Sequence, residues 1–129
     1  MTFDIDRFKF FNDTYGHQLG DGVLRQVELT MSDTARGNEL FARYGGEEFA
    51  LVIANYKIEE VMIAGDRFRA AVEDLVIPSE AGDQRVTVSG VASHLSLIGD
   101  RDAGERLIKA ADEAMYQAKA AGRNRICGP

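Results

Sequence analysis

The stretch Arg43-Tyr44-Gly45-Gly46-Glu47-Glu48-Phe49 lies between two apolar, strand-like runs, residues 40–44 and 49–53. Two adjacent glycines between such runs predict a tight β-hairpin turn, because a type I′ turn needs positive φ at both central positions. Two glutamates leave this turn. Paired carboxylates at a hairpin tip suit a metal ion, and unshielded backbone N–H groups beside them suit a phosphate. The alternative for this stretch alone is a hairpin whose second strand begins with two solvated acids.

A second acidic cluster lies near the start of the chain, where Asp4 and Asp6 flank Ile5. The pattern predicts a strand that passes into a turn or short helix, since Ile5, Phe8 and Phe11 have helical spacing. Carboxylates at the carboxyl end of a strand lie where open α/β sheets place ligands. Asp4 can therefore join a glutamate of the hairpin around a divalent ion. Alternatively, one or both aspartates cap the following turn.

Loop-forming residues fill positions 12–17, which predicts a loop followed by a helix that opens at Gly20-Asp21-Gly22. Asp21 is a good N-cap residue, so a ligand role for it competes with a structural one. His17 is interpreted as a structural residue rather than a metal ligand, because no second histidine has metal-site spacing.

The second half of the chain predicts two more helices and two more strands. Apolar residues between positions 58 and 75 have the spacing of an amphipathic helix that ends before Pro78. Residues 85–92 alternate as in a half-buried strand, in which Gly90 indicates a bulge or a close backbone approach. A last helix is predicted over 103–121, with a buried stripe that includes Leu107 and with Gly122 as the C′ residue, before a short edge strand at 125–127.

Lys119 and Arg123 are four residues apart at the end of this last helix, so they project from roughly the same side. One interpretation is that they complement the negative end of the helix dipole. The other is that they bind phosphate oxygens.

Composition narrows the function classes. The chain has 129 residues, enough for one domain, and its net charge of −6 argues against a nucleic-acid polymer as the main partner. Its single cysteine, Cys127, cannot form an internal disulfide, which fits a reducing compartment. The sequence contains no signal peptide pattern and no apolar run near the ~20 residues of a membrane span.

These observations predict an α+β domain with two acidic clusters, Asp4/Asp6 and Glu47/Glu48, and cationic partners at Lys9, Lys119 and Arg123. Carboxylate-held metal with Lys or Arg on phosphates is the equipment of phosphoryl or nucleotidyl transfer. No P-loop string and no Ser-His-Asp or Cys-His nucleophile arrangement is found.

Four motifs in order, D-I-D-R-F-K-x-x-N-D-x-Y-G-H-x-x-G-D, R-Y-G-G-E-E-F, T-V-S-G-V-A and A-D-x-A-M-Y-x-A-K-x-x-G-R-N-R, resemble the GGDEF domain of diguanylate cyclases. The resemblance covers almost all of residues 1–129. It implies a central, mostly antiparallel five-stranded sheet flanked by helices, a palm-like fold similar to that of nucleotidyl cyclases. It also implies condensation of two GTP molecules into cyclic di-GMP, with release of two pyrophosphates.

The resemblance assigns roles to residues of each motif. It implies that the Asp4 and Glu47 side chains and the Ile5 carbonyl bind Mg²⁺ or Mn²⁺, and that Glu48 assists deprotonation of the 3′-hydroxyl. Further implied contacts are those of Asn12 and Asp21 with the guanine edge, of Lys9, Lys119, Arg123 and the backbone around Arg7 and Phe8 with the phosphates, and of Gly45 and Gly46 with a closely approaching nucleotide.

The resemblance also implies partners and a location. Two domains meet as a homodimer, each presenting one GTP, and an upstream sensory or receiver module controls them in the parent protein. The expected location is cytoplasmic, in a parent that can be membrane-anchored. The alternative from another class is a GTP- or cyclic di-GMP-binding regulatory module without turnover.

Three departures from the family pattern carry expectations. The family's N-terminal helix, with its D-x-L-T-x-L-x-N-R motif, and the start of the first strand are expected to be missing. An inhibitory product site usually reads R-x-x-D; here Arg36 and Glu39, with Arg67, stand in its place. One residue is absent between Ser89 and Gly90, which predicts a local bulge or register change, because a deletion reverses side-chain parity in a strand.

Overall fold

The computed structural model describes residues 1–93 and 102–128, with the side chains at 103, 104, 106 and 107 outside this description. Within these ranges the chain forms five strands and four helices. They are β1 (Thr2–Ile5), α1 (Phe8–Tyr15), α2 (His17–Thr34), β2 (Glu39–Gly45), β3 (Glu48–Ile53), α3 (Ile58–Asp74), β4 (Val88–Val91), α4 (Ala103–Ala120) and β5 (Ile126–Cys127). The predicted α+β class is confirmed.

The five strands form one sheet in the order β2-β3-β1-β4-β5. All neighbours pair antiparallel except β4 and β5, which are parallel, so the predicted mostly antiparallel five-stranded sheet is confirmed. The first strand of the chain is the central one, because Thr2 pairs with Ala50 on one side and with Val91 on the other. The carboxyl end of this central strand is Asp4 and Ile5.

Alternate residues of β1 point to opposite faces of the sheet, and each face meets a different helix. Phe3 is fully buried and its ring lies 5.7 Å from the ring of Phe68 on α3. Asp4, on the other face, is ion-paired with Lys119 of α4. The sheet therefore lies between α3 and α4. Both faces of its central strands are covered.

Aromatic side chains fill the core between the sheet and α3. Phe3, Phe49 and Phe68 are fully buried, and Phe41 lies 5.7 Å from the Phe49 ring and 6.0 Å from the Phe68 ring. Val23, Val27 and Met31, all on α2, are also fully buried. This apolar layer packs α2 and α3 on one side of the sheet and leaves Asp4, the carboxylate of β1, on the other.

The loop predicted over positions 12–17 is wrong, because residues 12–15 belong to α1 and α2 begins at His17. Phe8 and Phe11 are buried at helical spacing, and this burial outweighs the loop-forming composition. The Thr14 hydroxyl donates to the Phe10 carbonyl, so a residue typical of loops is accommodated inside the helix. Gly16, with φ of 88°, is the one residue between α1 and α2.

The expectation that Asp21 caps a helix start is wrong for the same reason. Asp21 is the fifth residue of α2, exposed, and the N-cap position is Gly16. Its carboxylate is therefore not used by the helix end and stays available to solvent or a ligand.

The predicted hairpin is confirmed, but its turn is not the predicted type. Gly45 pairs with Glu48, so Gly46 and Glu47 form the turn, and neither Gly45 nor Gly46 has the positive φ that a type I′ turn requires. A bulge at Tyr44 shifts the register between Arg43 and Gly45. The Arg43 guanidinium stabilises this arrangement by donating to the Gly46 carbonyl from both Nε (3.0 Å) and Nη2 (2.7 Å).

The bulge or register change predicted near Gly90 is wrong. β4 pairs with β1 without interruption, from Val88 opposite Ile5 to Val91 opposite Thr2. The half-buried alternation is wrong as well, because all four residues of β4 are buried. A strand that is buried on both faces does not need alternating apolar and polar residues. The predicted close approach at Gly90 is confirmed: a Cβ there would lie 2.7 Å from both Phe3 Cδ1 and Ile126 Cδ1.

The remaining helix and strand predictions agree with the structure to within a few residues. α3 ends at Asp74, before Pro78, and Gly122 follows α4 with φ of 114° as a C′ glycine. Ala111 and Ala118 are buried on α4, whereas the side chain of Leu107 lies outside the described residues. None of the helices in the described residues is long and apolar enough to cross a membrane.

Candidate functional site

Three carboxylates meet where the central strand ends. Asp4 on β1 is the register partner of Glu48 on β3, and the Ile5 amide donates to the Glu47 carbonyl at 3.3 Å. Lys119 reaches across from α4, and its Nζ donates to Asp4 Oδ1 at 2.5 Å. The two acidic clusters predicted from sequence are therefore adjacent, with one cation between them. We call Asp4, Glu47, Glu48 and Lys119 the carboxylate cluster.

Electrostatics in this cluster oppose ionisation. Burial raises the pKa of Asp4 above its usual value, and the attraction of Lys119 offsets this only in part. Burial, together with repulsion from Asp4, raises the pKa of Glu47. The side chain of Asp4 is 14% exposed and that of Lys119 30% exposed, so solvent still reaches the pair. Two acids held close together at such a cost are typical of a functional site.

The donor set fits a small divalent cation. Within residues 1–93 and 102–128, no group of three or more acidic, histidine or cysteine side chains is arranged to hold a metal by itself. Mg²⁺, however, is commonly bound by one or two carboxylates, with water and substrate phosphates completing its octahedron. Asp4, Glu47 and the backbone carbonyl of Ile5 are hard oxygen donors of that kind. The cluster thus suits an ion that arrives with a phosphate ligand.

An open helix N-terminus lies directly after this strand end. Arg7 occupies the N-cap position of α1 in a left-handed conformation, with φ of 55°, and makes no side-chain capping hydrogen bond. No acidic residue lies in the first turn, which contains Phe8 and Lys9. Free N–H groups at a helix start favour anions, and the adjacent Lys9 side chain is exposed. The predicted phosphate contacts therefore lie beside the carboxylate cluster.

Arg123 lies beyond the end of α4, whereas Lys119 belongs to the helix. Arg123 lines an open groove of about 580 Å³ together with Asp6, Arg7, Phe10 and other residues of α1 and of the segment before β4. The backbone at Arg123 and Asn124 is left-handed, with φ of 60° and 45°. Arg123 therefore follows Gly122 out of the helix, so the helical spacing from which a common side with Lys119 was predicted does not extend to it.

Asp6 is a structural residue rather than a second metal ligand. β1 ends at Ile5, and the buried Asp6 carboxylate accepts hydrogen bonds from the Thr87 and Ser89 hydroxyls, both at 2.7 Å, and from the Asn124 amide at 3.0 Å. Asp6 is thus neither a metal ligand nor a helix cap but a buried hydrogen-bond acceptor. It ties the segment that carries Arg123 to the sheet.

Asn12 and Asp21 lie on α1 and α2, the two helices joined at Gly16. Asn12 Oδ1 is buried without a hydrogen-bond partner, and it lies against Gly20, next to Asp21 in the chain. Within the described residues, no hydrogen bond or ion pair joins either side chain to the carboxylate cluster. They form a separate polar patch that a ligand would have to span.

The two hairpin glycines have different surroundings. A Cβ at Gly45 would lie 2.7 Å from Glu48 Oε2, whereas a Cβ at Gly46 would meet nothing within 4 Å. Gly45 therefore makes room for the Glu48 carboxylate, and Gly46 leaves the turn open to an approaching molecule.

The predicted inhibitory residues also come together. Arg67 on α3 donates to both carboxylate oxygens of Glu39, at 2.7 and 2.5 Å, and the Arg36 amide donates to Glu39 Oε2 at 2.8 Å. In the part of the chain that the structure describes, the buried Nε of Arg67 has no hydrogen-bond acceptor. The longer glutamate therefore reaches Arg67 from the position where the family pattern has aspartate.

Sequence reasoning missed three contributors to the site. Ser89 and Thr87 were interpreted as the polar face of a strand, yet both bind Asp6. Asn124 was not singled out, although Arg69 donates to its side chain at 3.0 Å. A signal for Ser89 is its place in a strand that pairs on both sides. The signal for Asn124 is its place in the G-R-N-R motif at the end of the last helix.

Comparisons with known proteins agree with this architecture. The family model described as "Diguanylate cyclase, GGDEF domain" matches residues 1–125. The response regulator PleD of Caulobacter vibrioides is 37% identical over 128 residues, which is 99% of this chain and 28% of that protein. Diguanylate cyclase A of Treponema denticola is 38% identical over 127 residues, 98% of this chain and 33% of that protein. The chain thus spans about a third or less of these relatives.

Solved structures show the same fold. The GGDEF domain of DgcB from Caulobacter crescentus, in complex with c-di-GMP, superposes with a TM-score of 0.84 at 35% identity, covering 98% of this chain and 74% of that one. The active GGEEF domain of a diguanylate cyclase from Vibrio cholerae gives a TM-score of 0.78 at 30% identity, covering 98% of this chain and 79% of that one.

Proposed function

Since the chain belongs to the diguanylate cyclase GGDEF domain family, we propose that it condenses two GTP molecules into cyclic di-GMP. In each half of the reaction a 3′-hydroxyl of one nucleotide attacks the α-phosphate of the other. The bond from the 3′-oxygen to phosphorus forms, the bond to the β-phosphate oxygen breaks, and pyrophosphate leaves. Two chains, each with one bound GTP, have to face one another for both attacks to occur.

One observation carries this proposal: Asp4 and Glu47 lie together at the end of the central strand, beside the uncapped start of α1. Carboxylates for a cation and free N–H groups for an anion are the two requirements of a nucleoside triphosphate with its metal. A metal-free binding site for a neutral ligand would not need paired acids whose ionisation burial opposes.

The chain's own groups divide the remaining work. Asp4, Glu47 and the Ile5 carbonyl would hold Mg²⁺ or Mn²⁺, which supplies charge stabilisation at the phosphates when bound. Lys119, which is paired with Asp4 in the absence of ligand, and Lys9 would neutralise phosphate oxygens. Glu48, seated against Gly45, is the candidate acceptor of the 3′-hydroxyl proton.

Asn12 and Asp21 are the proposed readers of the base. A carboxylate accepts from the ring N–H and the exocyclic amine of guanine, and an amide can both donate and accept. Among the described residues Asn12 Oδ1 has no hydrogen-bond partner, and Asp21 is exposed to solvent, so both are candidates for contact with a base.

The experiment is incubation of the chain with GTP and Mg²⁺, followed by chromatographic detection of cyclic di-GMP and pyrophosphate. We further propose that the chain is a GGDEF domain without its N-terminal helix and the start of its first strand. The same assay is therefore repeated on a longer chain in which that helix and the start of the strand are restored. The proposal predicts two pyrophosphates for each cyclic di-GMP. Failure of both forms to make product would contradict it.

Binding of cyclic di-GMP at Arg36, Glu39 and Arg67 is a second candidate function. The buried, unpartnered Nε of Arg67 supports it, because a buried donor without an acceptor is costly unless a ligand supplies one. Calorimetric titration with cyclic di-GMP tests it. Arg36→Ala should weaken binding, and Arg25→Ala, an exposed arginine on α2, is the matched control. Equal binding by both variants would rule this site out.

A further inference from the structure

The amide of Asn12 occupies space that exists only because residue 20 is glycine. A Cβ at position 20 would lie 1.7 Å from Asn12 Oδ1 and 2.9 Å from Asn12 Cγ. Non-bonded carbon and oxygen atoms do not approach this closely. Any side chain at residue 20 therefore excludes the present placement of the Asn12 amide.

The backbone conformation of α2 does not require glycine at this position. Gly20 is the fourth residue of the helix, is buried, and does not have a positive φ. Glycine inside a helix is less favourable than alanine, because it loses more conformational freedom on folding. The three heavy atoms nearest to a Cβ at position 20 all belong to the Asn12 side chain, so alanine would disturb this packing.

Asn12 is fixed by this packing in a way that is unusual for a buried amide. Among the described residues no hydrogen-bond donor reaches its buried Oδ1, so the contact with Gly20 is one of packing alone. Asn12 is nevertheless half-buried rather than enclosed, so other atoms of the side chain reach the surface between α1 and α2. The missing Cβ sets where that surface amide lies.

We propose that Gly20 is a positioning residue for base recognition: its missing Cβ holds the Asn12 amide where the nucleotide base binds. This inference rests on the proposed function, in which Asn12 contacts guanine. Gly20 itself touches no nucleotide and acts through Asn12. Its role is thus specific for the base and not for the phosphates.

The first test measures placement without using activity. The side-chain amide resonance of Asn12 is identified by its loss in Asn12→Ala, then compared in Gly20→Ala and Gly22→Ala. Gly22 lies on the same helix, and a Cβ there meets nothing within 4 Å. Gly20→Ala should shift the Asn12 resonance and Gly22→Ala should leave it unchanged. Equal effects of the two substitutions would overturn the inference.

The second test measures base discrimination as binding. The probes are GTP and ATP analogues with a methylene group in place of the oxygen that bridges the α- and β-phosphates, so the bond broken in the proposed reaction cannot break. Gly20→Ala should weaken the GTP analogue about tenfold, the effect of one lost hydrogen bond, and leave the ATP analogue nearly unchanged. Equal weakening of both would identify a merely structural role and overturn the inference.

A double-mutant cycle decides whether Gly20 acts through Asn12. The variant with both Gly20→Ala and Asn12→Ala should bind the GTP analogue no more weakly than Asn12→Ala alone, because the colliding side chain is gone. A further loss in the double variant would contradict the inference. Absence of cyclic di-GMP synthesis by the unsubstituted chain would count against the proposed function, and it would leave these binding measurements decisive for Gly20.

Discussion

Glu47 lies in the hairpin turn beside Asp4, and burial together with that neighbour raises the pKa of its carboxyl. The ordinary value for such a carboxyl is 4.5. Between pH 4.5 and the raised pKa, the folded chain binds more protons than the unfolded chain. The free energy of unfolding therefore falls as pH rises through this window, and an ionised Glu47 destabilises the metal-free fold at neutral pH.

We predict that Glu47→Gln raises the melting temperature of the metal-free chain at neutral pH, because it removes this charge. The advantage should disappear below about pH 4.5, where glutamate is protonated in both states. The same variant should lose cyclic di-GMP synthesis by about a hundredfold or more, since a group that stabilises charge in the site is gone. Thermal melting from pH 4 to pH 8 and product assays measure the two effects.

Glu59→Gln is the control for that experiment. Glu59 is an exposed acid in the first turn of α3, where its charge favours the helix dipole. Its replacement should lower the melting temperature slightly and leave product formation unchanged. A Glu47→Gln variant that melted lower than the parent at pH 7.5 would show that the charge conflict is absent.

The three hydrogen bonds to Asp6 make a second prediction at this scale. Asp6→Ala leaves the Asn124 amide and two hydroxyls without their buried acceptor, so we expect a loss of about 3 kcal/mol in the free energy of unfolding. Asp6→Asn should lose about half as much, because the Ser89 hydroxyl can accept from the new amide. Urea denaturation followed by circular dichroism measures both variants. Similar losses for the two would mean that the charge, and not the acceptor geometry, matters.

At the scale of the strand, Gly90 determines how β4 fits between Phe3 and Ile126. A Cβ at this position would lie 2.7 Å from atoms of both side chains, and the Phe3 ring is fully buried. We predict that Gly90→Ala lowers the free energy of unfolding by about 2 kcal/mol, the usual cost of overfilling a packed core. Gly22→Ala, in open space, should cost nothing. A loss of less than half a kcal/mol at Gly90 would show that the two side chains move aside freely.

The helices and strands that can be predicted from the sequence are those with a periodic pattern of apolar residues. α3, the last helix and the β2–β3 hairpin were predicted from such patterns and are confirmed. The helix at residues 12–15 was not predicted, because Asn, Asp and Thr favour loops locally. The burial of Phe8 and Phe11 stabilises the helix there nonetheless. At these residues tertiary packing, and not the local preference for a loop, determines the structure.

The carboxylate cluster shows the same division. The sequence indicated that Asp4 and Glu47 could share a cation, since both lie at strand–turn junctions. It also indicated Lys119 as a cationic partner of the acidic clusters, but not that its ammonium would pair with Asp4 in particular. It gave no reason to expect that Gly45 would make room for Glu48. Contacts between residues distant in sequence depend on strand order, which no local pattern encodes.

At the scale of the whole molecule, each chain offers one carboxylate cluster, whereas the proposed reaction joins two nucleotides. We therefore predict that product formed per chain rises in proportion to protein concentration when the chain is dilute, and levels off once dimers predominate. Initial rates over a hundredfold range of concentration, set beside the mass from light scattering, measure this. A constant rate per chain while the protein is monomeric would show that one chain suffices.

The position of β1 in the sheet has a consequence for synthesis on the ribosome. Of the five strands described, β1 is translated before the other four and is the central one, and its two partners follow at residues 48–50 and 88–91. Phe3 and Ile5, both fully buried in the finished fold, leave the ribosome long before β4 exists to cover one flank. One edge of β1 can therefore pair with β3 first, while its other edge has no partner until residues 88–91 have been translated. Until then the nascent chain is a substrate for chaperones that bind extended apolar segments.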